Sequence, residues 1–175
     1  ALTYQLVGPP VGALIDSNGV ITWIPDEYYG PGTYELWTVV TDDGVPPLSA
    51  TNSFRVTVNE VNTPPALQSL TDAILSGGES FTFLNSGSDS DKPANSITYQ
   101  LIEAPLGAAI DANGLITWTP EPGQVPSTNV FITVATDFNP WAVTDQHLST
   151  TNSFTLRVFE PGNQPVIVSL DLGND

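Results

Sequence analysis

Cysteine and methionine are absent from this 175-residue chain, and histidine occurs once, at His147. Without cysteine there is no disulfide, no thiolate metal site and no thiol nucleophile. The redox compartment stays open, because only the presence of cysteine is diagnostic. Positive charge is almost as scarce: three Lys and Arg face 19 Asp and Glu, a formal net charge of −16. So acidic a body is repelled by phosphate backbones and anionic lipid, which argues against nucleic acid and membrane surfaces as partners. No run of about 18 apolar residues exists to insert into a membrane as a helix. There is no Gly-rich phosphate loop, Walker motif, zinc spacing or Ser-His-Asp context. Carboxylate-pair catalysis needs a cleft with opposed environments, which small β-sandwich modules seldom supply, so the chain is not expected to be an enzyme.

What is present is enough apolar surface for a core, with 40% hydrophobic and 9% aromatic residues, and an internal repeat. Thr3-Tyr4-Gln5-Leu6 recurs as Thr98-Tyr99-Gln100-Leu101, Ile15-Asp16-Ser17-Asn18-Gly19 as Ile110-Asp111-Ala112-Asn113-Gly114, and Ile21-Thr22-Trp23 as Ile116-Thr117-Trp118, all at an offset of 95. Thr51-Asn52-Ser53-Phe54 recurs as Thr151-Asn152-Ser153-Phe154 at an offset of 100, as do Pro65 with Pro165 and Ser69-Leu70 with Ser169-Leu170. The second copy therefore carries five extra residues, in the loop around Asn139 to Gln146. A unit of this length is a domain rather than a solenoid repeat. The phase predicts a first repeat over 1–62 that lacks its opening strands, a complete second repeat over 63–163, and the first strand of a following repeat over 164–175. Two explanations stand side by side. The chain, which opens without a secretory leader, is a slice of a longer array, or the strand at 165–172 completes the sheet of a neighbouring molecule.

Alternation of apolar and polar residues marks strands at Tyr34-Glu35-Leu36-Trp37-Thr38-Val39-Val40, at Ser53-Phe54-Arg55-Val56-Thr57-Val58, at their second copies, and at Ser80-Phe81-Thr82-Phe83-Leu84. Asn18-Gly19 and Asn113-Gly114 signal tight turns, since Asn-Gly tolerates positive φ. No ten-residue stretch keeps a helical period. Many short strands separated by turns predict antiparallel β-sandwiches. Trp23 and Trp118 follow β-rich Ile-Thr and are expected in the cores. Phe138 and Trp141 sit in the inserted loop, where an exposed aromatic pair would suit a sugar ring, a neighbouring domain or a loop folded back on itself. Carboxylates are the one abundant functional group, and Ca²⁺ takes six to eight oxygens from Asp, Glu, Asn and carbonyls.

Several runs resemble a family. Asp89-Ser90-Asp91, then Asn95, then Ile97-Thr98-Tyr99-Gln100-Leu101, and the linker Asn59-Glu60-Val61-Asn62-Thr63-Pro64, look like the cadherin fold. The run Ile-Asp-Xaa-Asn-Gly-Xaa-Ile-Thr-Trp-Xaa-Pro at 15–25 and 110–120 is similar to the bacterial cadherin-like modules, also called dystroglycan-type or putative immunoglobulin repeats. The resemblance implies an all-β fold of tandem antiparallel Greek-key β-sandwiches, with no helices of note. It implies Ca²⁺ at the junction between consecutive repeats, held by Glu27 (or Asp26), Glu60, Asn62, Asp89, Asp91, Asn95 and Asp137. The same acids also read as solvated loops with Asx turns. The implied function is a structural or adhesive tandem repeat of an extracellular bacterial surface protein or filament. Its partners would be neighbouring copies or adjacent repeats, and surface glycans. The alternative is a carbohydrate-binding or spacer module of a secreted multidomain hydrolase, with Trp141 and Phe138 as ligand contacts.

Overall fold

A computed structural model describes residues 1–163. The strand expected at 164–175 lies outside the described residues. The chain divides into two compact units. The first comprises Ala1–Thr63, Ser90–Asn95 and Asn139–Gln146; the second comprises Pro64–Asp89, Ser96–Phe138 and the residues from His147 onward.

In the first unit, β1 (Leu2–Val7), β2 (Leu14–Ile15), β3 (Ile21–Thr22), β4 (Gly32–Asp42) and β5 (Ser49–Val58) carry the fold. A three-stranded antiparallel sheet has the order β1-β4-β5, with β4 and β5 in unbroken register from Gly32↔Val58 to Thr41↔Ser49. β2 and β3 form a separate hairpin. Its turn is built as the sequence predicts. Asp16 Oδ1 accepts the backbone N–H of Val20 at 2.8 Å and of Asn18 at 2.9 Å, and Gly19 has φ +83°. The Val20 bond, followed by that of Asn18, holds the Asp16 carboxyl below its ordinary value. Trp23 packs edge-on against Tyr29 and Tyr34, which also meet each other edge-on, at centroid distances of 5.0–5.3 Å.

The second unit holds β6 (Ala66–Leu67), β7 (Ala73–Ser76), β8 (Phe81–Leu84), β9 (Gly87–Ser88), β10 (Ser96–Glu103), β11 (Ala109–Ile110), β12 (Leu115–Trp118), β13 (Ser127–Phe138) and β14 (Ser149–Phe159). One sheet has the order β10-β13-β14-β7, a second β11-β12-β8, and β6 pairs with β9. The inward face of each long strand supplies one apolar side chain in two, as the period of a pleat requires. Leu75, Ile116, Trp118, Phe131, Phe154, Leu156 and Val158 form the buried core, with Phe131 and Phe154 stacked at 4.8 Å. Trp118 is buried as expected and donates its indole N–H to the Leu106 carbonyl at 3.1 Å. The all-β expectation holds. Among the described residues the only helical segments are two three-residue 3₁₀ turns, Glu27–Tyr29 and Pro122–Gln124. One pairing departs from the antiparallel expectation: β7 runs parallel to β14. The two strands lie far apart in sequence, so no hairpin dictates their direction.

Repeat-matched positions are covered very differently in the two units. Ile116, Trp118, Leu156 and Val158 are buried, whereas Ile21, Trp23, Val56 and Val58 are only half-buried. Phe154 is 5% exposed and its match Phe54 is 41% exposed. The difference follows from β7 and β8, which flank β14 and β12 but have no counterparts beside β5 and β3 among the described residues. Only Leu36, matched to Phe131, is fully buried in both settings. Truncating a closed core site leaves a cavity, while truncating a half-open one mainly loses transferred area. We therefore expect Phe154→Ala to lower unfolding free energy by about 3–5 kcal/mol and Phe54→Ala by about 1 kcal/mol, measured by denaturant titration. Equal losses would mean that the Phe54 face is covered in solution.

Candidate metal centre

The candidate centre is built inside the first unit, on the chain that follows β5. Glu60 and Asn62 lie on this linker, and both are buried. Glu60 is fixed by its own backbone, which makes an isolated parallel bridge to Ala142 and accepts the N–H of Val143 at 3.2 Å. Gly30 leaves room beside it, since a Cβ there would sit 3.0 Å from Glu60 Oε2. Glu27 arrives on the 3₁₀ turn after β3. The Asp26 carboxylate caps that turn through the Tyr28 N–H at 3.0 Å, so of this acidic pair it is Glu27 that joins the cluster. Asp91 comes from the 90–95 segment. Carboxylate oxygens of Glu27, Glu60 and Asp91 lie within 4.8 Å of one another.

Amides, a hydroxyl and a backbone N–H donate to these carboxylates. Asn139 Nδ2 donates to Glu60 Oε1 at 3.0 Å and to Asp91 Oδ2 at 3.2 Å. Asn95 Nδ2 donates to Asp91 Oδ2 at 2.7 Å, and the Thr63 backbone N–H and hydroxyl both donate to Asp91. Asn62 donates to the Asp145 carbonyl at 3.0 Å and accepts from Asn95. Elsewhere the N-terminal amine forms an ion pair with Asp43. Burial pushes the Glu60 carboxyl above its ordinary value. Asn139 opposes that shift, and the charges of Glu27 and Asp91 add to it.

These donors fit a hard cation. All are oxygens, and oxygens about 2.4 Å from a common centre lie about 3–5 Å apart. The Asn95 amide oxygen is enclosed and accepts no hydrogen bond within the described structure, a spare ligand at the same place. A lone carboxylate cluster in a low-dielectric site is costly, and a divalent ion is the group that removes the cost.

The other expected ligands, Asp89 and Asp137, fall in the second unit, where a carboxylate oxygen of each lies within 4.8 Å of the other. Asp137 also has a structural task. Its Oδ1 accepts the Leu148 N–H at 2.7 Å, as Asp42 Oδ1 accepts that of Leu48 at 2.9 Å in the first unit. Phe138 is 41% exposed and stacks on His147 at 4.8 Å. Trp141 is 44% exposed in the 139–146 segment of the first unit, with its backbone N–H on Asn139 Oδ1. Sequence reasoning missed Asn139 and Thr63 as parts of the centre. The signal for Asn139 was its place in the inserted loop, read there only for its aromatic neighbours.

Comparison with known proteins places this geometry in context. A family model described as "Putative Ig domain" matches residues 64–159. Human protocadherin-1 is 34% identical over 111 residues, covering 59% of this chain and 10% of the relative. The chain thus spans about a tenth of that protein's length. Mouse cadherin-23 (EC22-24) superposes with a TM-score of 0.58 at 20% identity, over 90% of this chain and 54% of that one. The extracellular domain of protocadherin gamma-B4 gives 0.56 at 20% identity, over 90% and 27%. At these identities the solved structures speak for the fold, which is the β-sandwich of cadherin extracellular domains.

The raised carboxyl of Glu60 carries a sign. Its protonated form is favoured by the fold, so stability declines as pH rises from the ordinary value of 4.5 through the higher native one. Glu60→Gln keeps an acceptor for Asn139 and removes the charge. In chelator at neutral pH the variant should melt above the parent, with the two converging as pH falls below 4.5. Thermal melts across that range check this; a lower melting temperature at neutral pH would show that the charge is not a burden on the fold.

Proposed function

The chain belongs to the Putative Ig domain family, and from that premise we propose that it is a structural and adhesive tandem repeat of an extracellular protein whose linker binds Ca²⁺. The observation that carries the reading is the convergence of carboxylate oxygens of Glu27, Glu60 and Asp91 within 4.8 Å of one another, beside the enclosed amide oxygen of Asn95. Glu60, Asn62, Asp91 and Asn95 would hold the ion together with Glu27. The ion supplies charge neutralisation and a fixed linker, because its donors come from three separated stretches: the turn at 27–29, the linker at 60–63 and the segment at 90–95. Ca²⁺ suits such a flexible assembly better than Mg²⁺, which demands a small rigid octahedron. The repeats are organised as 1–62 and 63–163, and the partners are adjacent repeats and other copies of the chain, with the 165–172 segment joining copies. The role is mechanical and adhesive, and no catalytic chemistry is assigned. A second reading, glycan contact, rests on the 44% exposure of Trp141; loss of glycan-array binding in Trp141→Ala would favour it.

An ion that binds only the folded state stabilises by about 2.7 kcal/mol at a hundredfold excess over Kd. Melting the full chain in Ca²⁺ and then in EDTA should therefore show a reversible upward shift of several degrees with the ion. Asp91→Asn should abolish most of that shift. Superimposable curves in Ca²⁺ and EDTA would sink the reading.

A further inference from the structure

We propose that the Asn139 side chain is an ion-dependent switch at the candidate centre: its amide turns from N–H to oxygen when a cation joins Glu60 and Asp91, and it draws the Trp141 backbone with it. The proposal rests on the reading of this centre as a Ca²⁺ site. It adds the residue that responds to the ion and the segment that reports the response. All the groups involved lie in the first unit. The Asn95 amide oxygen, enclosed and accepting no hydrogen bond among the described residues, points to a ligand there independently of the carboxylates.

Asp91 is saturated with donors on the side that faces Asn139. A carboxylate oxygen offers about two lone pairs. Asp91 Oδ2 nevertheless accepts the amide N–H of Asn95 at 2.7 Å, the backbone N–H of Thr63 at 3.2 Å and the amide N–H of Asn139 at 3.2 Å. A cation reaches that oxygen only where a donor withdraws. The Thr63 donor is main chain. Asn95 holds the shortest of these bonds and stands on the same 90–95 segment as Asp91. Asn139 is the remaining donor, and its withdrawal also clears Glu60 Oε1, to which it donates at 3.0 Å. One amide thus covers an oxygen of each of the two buried carboxylates.

Asn139 is fully buried, so its amide turns in place and does not swing into water. Exchange of its two ends aims Oδ1 at Glu60 and Asp91. Two carboxylates alone repel that oxygen, whereas a cation between them attracts it, so the turned form requires the ion. The other end of the amide carries the consequence. Oδ1 accepts the Trp141 N–H at 3.2 Å. After the exchange Nδ2 meets that N–H, donor against donor, and the Trp141 backbone must find a new acceptor. Further along, the loop is tied to the linker: the Val143 N–H donates to the Glu60 carbonyl at 3.2 Å, and Asn62 donates to the Asp145 carbonyl at 3.0 Å. The shift therefore falls on 140–142, where Trp141 is 44% exposed and has room to move.

Titrating the full chain with Ca²⁺ while following tryptophan emission and melting temperature tests this. The parent should show an emission change together with an upward melting shift. Trp141→Phe should lose most of the emission change and keep the melting shift, because the backbone N–H remains. Asn139→Asp presents one oxygen to the ion and the other to the Trp141 N–H without turning. It should bind Ca²⁺ about tenfold more tightly, since the site gains a charged ligand. It should also melt below the parent in chelator, and its emission change should be much smaller than the parent's. Where Asn139→Asp folds only with the ion, the comparison of the parent with Trp141→Phe still decides. An Asn139→Asp chain whose emission changes as much as the parent's overturns the switch. So does a parent whose melt responds to Ca²⁺ while its emission does not, and that outcome leaves the metal-binding reading standing. A parent whose melt ignores Ca²⁺ overturns both.

Discussion

Negative charge without cations is the constraint on which this structure turns. With 19 acids and three basic side chains, carboxylates that enter the fold must be answered by N–H and O–H donors. The molecule does this in three grades of burial. On the exposed hairpins Asp16 and Asp111 each collect two backbone N–H groups within 2.8–2.9 Å, enough to close a turn and lower their own pKa. At the ends of the long strands Asp42 and Asp137 collect the N–H of the residue that starts the return, and so set where each loop closes. In the candidate centre, Glu60 and Asp91 are buried and share the amide of Asn139. The first two grades satisfy the charge. The third moderates it, because an amide dipole offsets part of a desolvated charge and leaves the like charges in place.

The two units show one strand pattern under two degrees of closure. The β10-β13-β14 sheet repeats β1-β4-β5, and the β11-β12 hairpin repeats β2-β3. What differs is the flanking pair β7 and β8, and with it the state of the aromatic core. In the second unit Phe131, Phe154, Phe81 and Trp118 interlock within 6 Å of one another's centroids along the chain of contacts. In the first unit Trp23, Tyr29 and Tyr34 form a separate edge-to-face cluster, and Tyr34 gives its hydroxyl to the Tyr29 carbonyl at 2.8 Å. Aromatic rings with a polar handle suit a half-wet position. The chemistry of the first core therefore matches its partial cover.

The fold was legible because both of its signals are local. Period-two alternation placed β4, β5, β13 and β14, and Asn-Gly placed the hairpins that end in Gly19 and Gly114 with φ near +85°. The jump of the repeat offset from 95 to 100 located the insertion in the loop around Asn139 to Gln146. The cluster was half legible. Its acids announce themselves by type, and the resemblance to cadherin repeats grouped them. The donors that make the acids tolerable do not announce themselves, because Thr63 and Asn139 are 76 residues apart and common residue types. The choice between Asp26 and Glu27 was also beyond the sequence, since it depends on which carboxylate caps the 3₁₀ turn. The parallel β7–β14 pairing was invisible for the same reason: it is decided by where a distant strand lands and not by any neighbour.

The placement of Asn139 links the insertion to the charge problem. The first repeat closes its corresponding, shorter loop with the Gly44 and Leu48 N–H groups on Asp42 Oδ1. The five added residues let the second loop bring Asn139 to Glu60 and Asp91, and let Val143 donate its N–H to the Glu60 carbonyl. Such a loop places the acid and its partial compensation by the same contacts. A structure that needed only to bury the linker would place an apolar residue at position 60, at less cost in desolvation. Keeping a carboxylate there, with its charge moderated and not removed, leaves the site anionic while holding its geometry, which is the condition under which a hard cation binds without first having to assemble its ligands.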